Sequence, residues 1–378
     1  MKKILYVSRP IAPPWDEASK NFAHNLSKKI TTSNSDLEIH LMTNGKLKNL
    51  PNNIVQENIY TSSQNDFGFW QKVYLIRYLI RYTFLNSHKY DLVHLFFTPT
   101  RLTSWILKRI LRKTKVIQTI ATLREDLFSE KEIKKIMFED IIVTYSEYAK
   151  NKLQTLGFNN VQRIYPGIDL ENYKQKMKNE KLLEKYGFCN TDFIINFTGE
   201  YTRLNAIDDV TNSFIEISKK IPEAKLSLAV RVKNKKDKNK KEKIIAKLKE
   251  KDLLDNIAFH DDGNYEMSDI YNLCDLSLFP VRNMNGKFDI PLAVIEAMAC
   301  EKPVIISDIP ILKEFSNENN SIQVRAGNVK DITKAVLTLY NDKEKTKNFG
   351  NSARKYVQEN FDLEKASRKY SEIYKSFL

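Results

Sequence analysis

Glycine is scarce in this sequence: 10 residues of 378, about 2.6% where average usage is roughly 7%. That argues against a glycine-rich phosphate loop and against linker-like architecture. Cysteine is nearly absent too. Cys189, Cys274 and Cys300 are widely spaced and form no CxxC pair, which points to a reducing compartment and no zinc site. No window approaches 18 uninterrupted apolar residues, so no membrane span is expected. Ile4–Val7 is too short for the apolar core of a signal peptide and reads as a first strand. The expected location is cytoplasmic, with peripheral attachment at the inner face of a membrane as a further option. No repeat appears at a 20–50 residue period, which excludes a solenoid. At 42% hydrophobic and 29% charged residues, disorder and collagen-like structure are excluded as well.

Positive charge is what the chain has in excess: 61 Lys and Arg against 47 Asp and Glu, a net +14. The excess is concentrated. Residues 70–115 hold ten Lys or Arg and one acid, Asp91, and residues 231–251 hold eleven against three. In the first stretch, YLIRYLIRYTF sets Arg77 and Arg81 about one helical turn apart, and RLTSWILKRILRK sets Lys108, Arg109 and Arg112 beside Trp105 and Ile106. Cations interleaved with aromatics suit an anionic lipid surface; the competing reading is a core with a solvated rim. The second stretch, VKNKKDKNKKEK, lacks aromatics and reads as a solvated loop and helix start. The distribution favours an anionic membrane over nucleic acid as partner.

Short apolar runs alternate with helix-periodic stretches, the pattern of parallel-sheet α/β domains. Strands are predicted at Lys3–Ser8, Leu37–Met42, Leu92–Phe96, Lys115–Thr119 and Ile141–Thr144. A second series follows at Phe193–Thr198, Lys225–Val230, Ile257–Phe259, Leu276–Phe279 and Pro303–Ser307. Helices are predicted between them and across Asp331–Leu378. The polar stretch 166–190 reads as an interdomain boundary. The expected domains are 1–172, rejoined by a final helix at 361–378, and 173–360. Two Rossmann-like domains facing each other across a cleft are the economical architecture, with ligands at strand carboxyl ends beside helix N-termini.

Residues 279–308, FPVRNMNGKFDIPLAVIEAMACEKPVIISD, carry the most chemistry. A strand ends at Pro280, a loop holds Arg282, Lys287 and Asp289, and a helix starts near Pro291, where proline's missing N–H costs nothing. That helix is apolar on almost every side except at Glu296. A buried carboxylate must be neutralised or hydrogen-bonded, so Glu296 bonds a neighbouring backbone, lies on one thin exposed edge of the helix, or accepts from ligand hydroxyls.

This segment resembles the sugar-nucleotide-binding motif of retaining glycosyltransferases of the GT-B fold, in the large family 4 group. VTYSEYAKNKLQTLGFNNVQRIYPGIDLENY (143–173), INFTGEYTRLNAIDDVTNSF (195–214) and NIAFHDDGNYEMSDIYNLCDLSLFP (256–280) resemble further family segments in the right order. The resemblance implies transfer of a hexose-type sugar from a nucleotide diphosphate to a glycan or lipid-linked acceptor, with retained configuration, no metal ion and no other cofactor. It implies a donor site of Gly199, Arg203, Arg231, Tyr265, Arg282, Lys287, Asp289, Ile290, Pro291 and Glu296. Arg203, Arg231 and Asp289 are the nearest to catalytic residues, since no side-chain nucleophile stands out. The chain departs from the family pattern in four places. Phe288 stands where many relatives have a Glu, with Asp289 beside it as a substitute. Glu200 and Asn205 stand where many have Arg and Lys, and Ala121 where many have His, with Arg124 shortly after. Asp261-Asp262 looks like a metal motif, but a turn before Gly263 explains it better. On the acceptor side the candidates are Asp16, Glu17, Lys20, His94 and Arg124. Asp16 and Glu17 also fit an ordinary helix cap, and His94 fits a satisfied core residue. A nucleic-acid-modifying glucosyltransferase and a non-catalytic sugar-nucleotide-binding protein remain alternatives.

Overall fold

A computed structural model describes the chain except for Pro14, Asp16 and residues 61–67, 86–89 and 262–264, and the side chains of 82–85. The expectations for Asp16 and for Asp262 therefore lie outside the described residues. The chain forms two compact units, the first of residues 1–167, 288–290 and 363–378 and the second of 168–287 and 291–362.

The first unit runs β1 (Lys2–Ile11), α1 (Ala18–Ser33), β2 (Leu37–Thr43), β3 (Ile54–Asn58), α2 (Phe69–Leu85), β4 (Leu92–Leu95), α3 (Arg101–Ile110), β5 (Lys115–Ile120), α4 (Glu130–Ile136), β6 (Ile141–Thr144), α5 (Glu147–Thr155) and β7 (Val161–Arg163). Its sheet has the order β3-β2-β1-β4-β5-β6-β7, all parallel. Inner strands such as β4 and β6 are buried along nearly their whole length, which is why they read as short, mostly Val, Ile and Leu runs, LVHL and IIVT. Thr100 opens α3 with a capping box shared with Thr103, and the Ser146 hydroxyl opens α5 by accepting from Ala149 N.

The second unit runs α6 (Glu180–Tyr186), β8 (Phe193–Glu200), α7 (Ile207–Ser218), β9 (Ala224–Arg231), α8 (Lys235–Glu250), β10 (Ile257–Phe259), α9 (Met267–Leu273), β11 (Leu276–Phe279), α10 (Leu292–Ala299), β12 (Val304–Ser307), β13 (Ser321–Val324), α11 (Val329–Asn341) and α12 (Lys343–Asn360). Its sheet has the order β10-β9-β8-β11-β12-β13, again parallel. The polar stretch 166–190 is more than a connector, because Leu182, Leu183 and Phe188 join the core of this unit. Gly187 stops α6 at φ 66°, a left-handed position that favours glycine. The Lys-rich run forms a longer helix than its charge suggests: Asn234 caps α8 by accepting from Asp237 N, and Ile244 and Leu248 anchor it.

The last helix, α13 (Leu363–Phe377), returns to the first unit. It is seated by a buried polar network. His94 Nδ1 lies 2.6 Å from the Tyr374 hydroxyl and Nε2 lies 2.8 Å from Thr119 Oγ1. The Tyr374 hydroxyl also meets that of Tyr6 at 2.7 Å, and Thr119 meets the Tyr370 hydroxyl at 3.0 Å. Lys29 adds an ion pair to Glu364 at 2.9 Å.

Candidate functional site

In a doubly wound sheet, ligands bind at the carboxyl ends of the strands where the order reverses. In the second unit that point lies between β8 and β11. Four charged groups converge there. Glu200, the last residue of β8, is 6% exposed, and three cations close on its carboxylate. Arg203 grips it with two nitrogens, Nε at 2.8 Å and Nη2 at 3.1 Å, while Lys233 Nζ lies at 3.0 Å and Lys287 Nζ at 2.8 Å. The three cations come from the turn after β8, the turn after β9 and the loop after β11. Burial works against ionisation of Glu200, but Lys287 and Lys233 outweigh it and hold the carboxyl down at about 2. Burial in turn lowers the Lys287 ammonium, with Glu200 opposing. One carboxylate against three cations leaves the cluster at a local +2. The cation side chains stay 41%, 34% and 25% exposed, so an anionic ligand can reach all three. Arg231 pairs with Glu200 in the β8–β9 register and is half-buried at the same edge.

Gly199, one residue before Glu200, has a steric reason to be glycine. A Cβ there would stand 2.6 Å from the Phe197 ring, closer than any side chain can approach.

Along the same edge, α10 begins without a side-chain cap and without an acidic residue in its first turn, which leaves its N-terminal amides available to an anion. The helix starts at Leu292, with the buried Pro291 as its cap residue rather than its first turn. Glu296 is half-buried, on the open side of α10 that half-exposed Leu292 and Ala293 mark, the thin exposed edge left open by the sequence. The Tyr271 hydroxyl donates to Glu296 Oε2 at 3.0 Å, and Tyr173, whose ring meets that of Tyr271 at 6.3 Å, is a second hydroxyl partner. Burial pushes the Glu296 carboxyl up to about 7, against the pull of both hydroxyls.

Other expected donor residues are engaged elsewhere. Arg282 makes a two-pronged ion pair with the buried Asp209 at 2.8 and 2.9 Å, so its charge is already met. Tyr265 donates to His260 O at 2.8 Å and packs edge-on to that imidazole. Asp289 and Ile290 are buried and group with the first unit. There Asp289 N donates to Ala121 O at 3.0 Å and its carboxylate accepts from the Ser146 hydroxyl at 2.5 Å. Asp289 is thus held as the partner of a helix-capping serine.

The acceptor-side candidates are scattered around the first unit. Glu17 is the cap residue of α1, though its side chain caps nothing; it lies 3.6 Å from Arg9. Lys20 is 1% exposed and belongs to the core face of α1. Arg124 is locked to Asp126 by two 2.8 Å bonds. His94 is fully buried, with both ring nitrogens bonded inside the core, and burial lowers its pKa well below the ordinary histidine value. It is therefore a neutral packing residue with no nitrogen left for a substrate.

Lys233 and Tyr173 are the site residues the sequence reading passed over. Lys233 opens a Lys-rich run that reads as solvent-facing; its only signal is its place two residues past the end of β9.

Residues 178–356 match the family of glycosyl transferases group 1. Over 253 residues the chain is 21% identical to an uncharacterised glycosyltransferase of Methanocaldococcus jannaschii, a match covering 65% of this chain and 62% of the relative. Over 240 residues it is 25% identical to N-acetyl-alpha-D-glucosaminyl L-malate synthase of Bacillus anthracis, covering 62% and 59%. The chain thus spans about three fifths of the length of these curated relatives. HepE of Anabaena, in a structure with UDP and glucose, matches with a TM-score of 0.77 over 100% of both chains at 16% identity. That likeness is one of fold: the chain has the GT-B fold, with two α/β units built on parallel sheets.

Proposed function

We propose that the protein is a glycosyltransferase that takes a sugar from a nucleotide diphosphate. The observation that carries this reading is the cluster of Arg203, Lys233 and Lys287 on Glu200 at the switch point of the second sheet, inside the segment that matches the family. A diphosphate carries the charge that the local +2 lacks. The uncapped start of α10 adds backbone donors on the same edge, and Glu296 with its two tyrosines offers a hydroxyl-binding group for ribose. HepE holds UDP and glucose, which makes a UDP-hexose the first donor to test here. Because developing charge on the leaving diphosphate is met by fixed cations, the proposed transfer uses no metal ion and no other cofactor. On the family resemblance we assign the reaction to the retaining class, and with no side-chain nucleophile in view the departing phosphate takes the proton of the acceptor hydroxyl.

The acceptor side is assigned to the first unit, at the carboxyl ends of β1 and β4, and the acceptor to a glycan or lipid-linked saccharide of the cell surface. The support is the surface of α2 and α3. Phe69, Trp70, Val73, Ile80, Leu102 and Trp105 are large exposed hydrophobics on these two neighbouring helices, interleaved with exposed Arg77, Arg81, Arg101 and Arg109. Such a face suits the cytoplasmic surface of an anionic membrane rather than nucleic acid. Among the described residues no helix is long and apolar enough to cross one. The test is a panel of nucleotide-sugars read by thermal shift and by nucleotide release. One donor is expected to stabilise the chain and release its nucleotide diphosphate with an acceptor present; a panel with neither effect overturns the reading.

A further inference from the structure

The amino ends of the first sheet's strands, opposite the edge where ligands of this architecture bind, hold a cavity of about 490 Å³. It lies where α3 ends and β5 and β6 begin. Its walls carry Lys108, Arg112, Lys113 and Lys115, with Glu139 and Asp140 as the acids. Two of the cations are tied down: Lys108 Nζ donates to Lys135 O at 2.8 Å, and Lys115 pairs with Asp140 at 3.1 Å. Arg112 and Lys113 are exposed at the rim.

Glu139 is the unusual wall. It is 7% exposed; Oε2 accepts from Phe138 N at 2.6 Å, and Oε1 is buried with no hydrogen-bond partner among the described residues. An unmet buried oxygen costs free energy that a plain structural carboxylate would not retain. Burial pushes this carboxyl up to about 7, so near neutral pH the protonated form is well populated and the cavity is strongly cationic.

The approach to this cavity is apolar. Along α3, Leu102, Trp105 and Arg109 follow one another at helical spacing on the exposed side, the Arg109 guanidinium lying 3.7 Å from the Trp105 ring centroid, and Arg112 follows just past the helix end. An aromatic and aliphatic stripe beside a cationic hollow matches the two parts of an anionic phospholipid, the acyl chain and the phosphate.

We infer that the cavity at the end of α3 is a headgroup site for the phosphate of an anionic phospholipid, with Arg112 and Lys113 as its principal ligands. This rests on the membrane-surface reading above and gives that surface one defined lipid contact.

The experiment titrates the full chain with monomeric dihexanoyl-phosphatidylglycerol, dihexanoyl-phosphatidylcholine and sodium phosphate by calorimetry. Phosphatidylglycerol is expected to bind saturably at one site and phosphatidylcholine not to bind. The Arg112→Glu/Lys113→Glu pair is expected to weaken phosphatidylglycerol about tenfold or more, with melting temperature and nucleotide-sugar binding unchanged. The Arg77→Glu/Arg81→Glu pair on α2 is expected to leave the constant unchanged. Equal loss in both pairs, or none in the first, overturns the site. Inorganic phosphate binding as tightly as phosphatidylglycerol overturns the lipid as its source. Pelleting with anionic vesicles, run in parallel, separates the two ideas. Pelleting without a saturable site overturns the cavity alone; saturable binding without pelleting overturns the membrane surface and retains the phospholipid site.

Discussion

Lys287 Nζ, from the loop after β11, and Glu200 Oε1, at the end of β8, meet at 2.8 Å. The contact ties together the two sides of the sheet's switch point and holds a cation where a donor diphosphate is expected. Lys287→Ala should therefore raise the KM for a nucleotide-sugar about ten- to a hundredfold, the loss of one charge-assisted contact of roughly 1.5–3 kcal/mol. A steady-state assay checks this, and an unchanged KM would remove Lys287 from the site.

The same contact has an acid limb. Because the Glu200 carboxyl is held down at about 2, below the ordinary 4.5, the folded chain binds fewer protons there than the unfolded one. Its contribution to stability is present above pH 4.5 and disappears as the pH falls through 2. Glu200→Gln should lower stability near neutral pH, since three cations then repel one another unneutralised, and should flatten this acid limb. Urea melts at a series of pH values give both readings.

Glu296 works in the opposite direction. Its carboxyl is raised to about 7, so its stabilising contribution is complete below pH 4.5 and is lost as the pH rises through 7. Glu296→Gln should make the stability of the chain less sensitive to pH in that interval. Tyr271→Phe should cost about 1 kcal/mol through one lost hydrogen bond and raise the Glu296 pKa further. Carboxyl titration by NMR reads the shift directly.

His94→Ala tests the division of labour between core and site. It opens a cavity and removes one of the two partners of the buried hydroxyls of Tyr374 and Thr119, which keep Tyr6 and Tyr370, for a loss of roughly 2–4 kcal/mol. The kcat measured well below the melting temperature should stay unchanged. A selective loss of kcat would return the imidazole to the reaction.

The buried strands of both sheets were legible because they are covered on two faces and leave an unbroken apolar run. Three strands escaped the pattern, β3, β7 and β13, and all three lie at sheet edges. IVQEN and SIQV bury only alternate or terminal residues there, and VQR is three residues long. Glu296 and Arg203 could be found from local sequence, since each sits in a recognisable strand-loop-helix passage. Lys233 could not, because its partner Glu200 is 33 residues away and only strand pairing brings them together. Arg282 and Asp289 show the converse. Their charge suits a phosphate or sugar site, but Asp209 and Ser146, distant in sequence, already satisfy them.

Glycine scarcity fits this chemistry: the proposed anion site is built from three side-chain cations and an uncapped helix start, where other folds wrap a glycine-rich loop around a phosphate. The most direct test is calorimetric titration of wild-type, Lys287→Ala and Glu296→Ala chains with UDP-glucose and related nucleotide-sugars. One donor should bind the wild-type chain, and each substitution should weaken it by about 1–3 kcal/mol without altering the fold by circular dichroism. Equal affinity in all three chains, or no binding by any donor of the panel, would contradict the assignment of this edge as the nucleotide-sugar site.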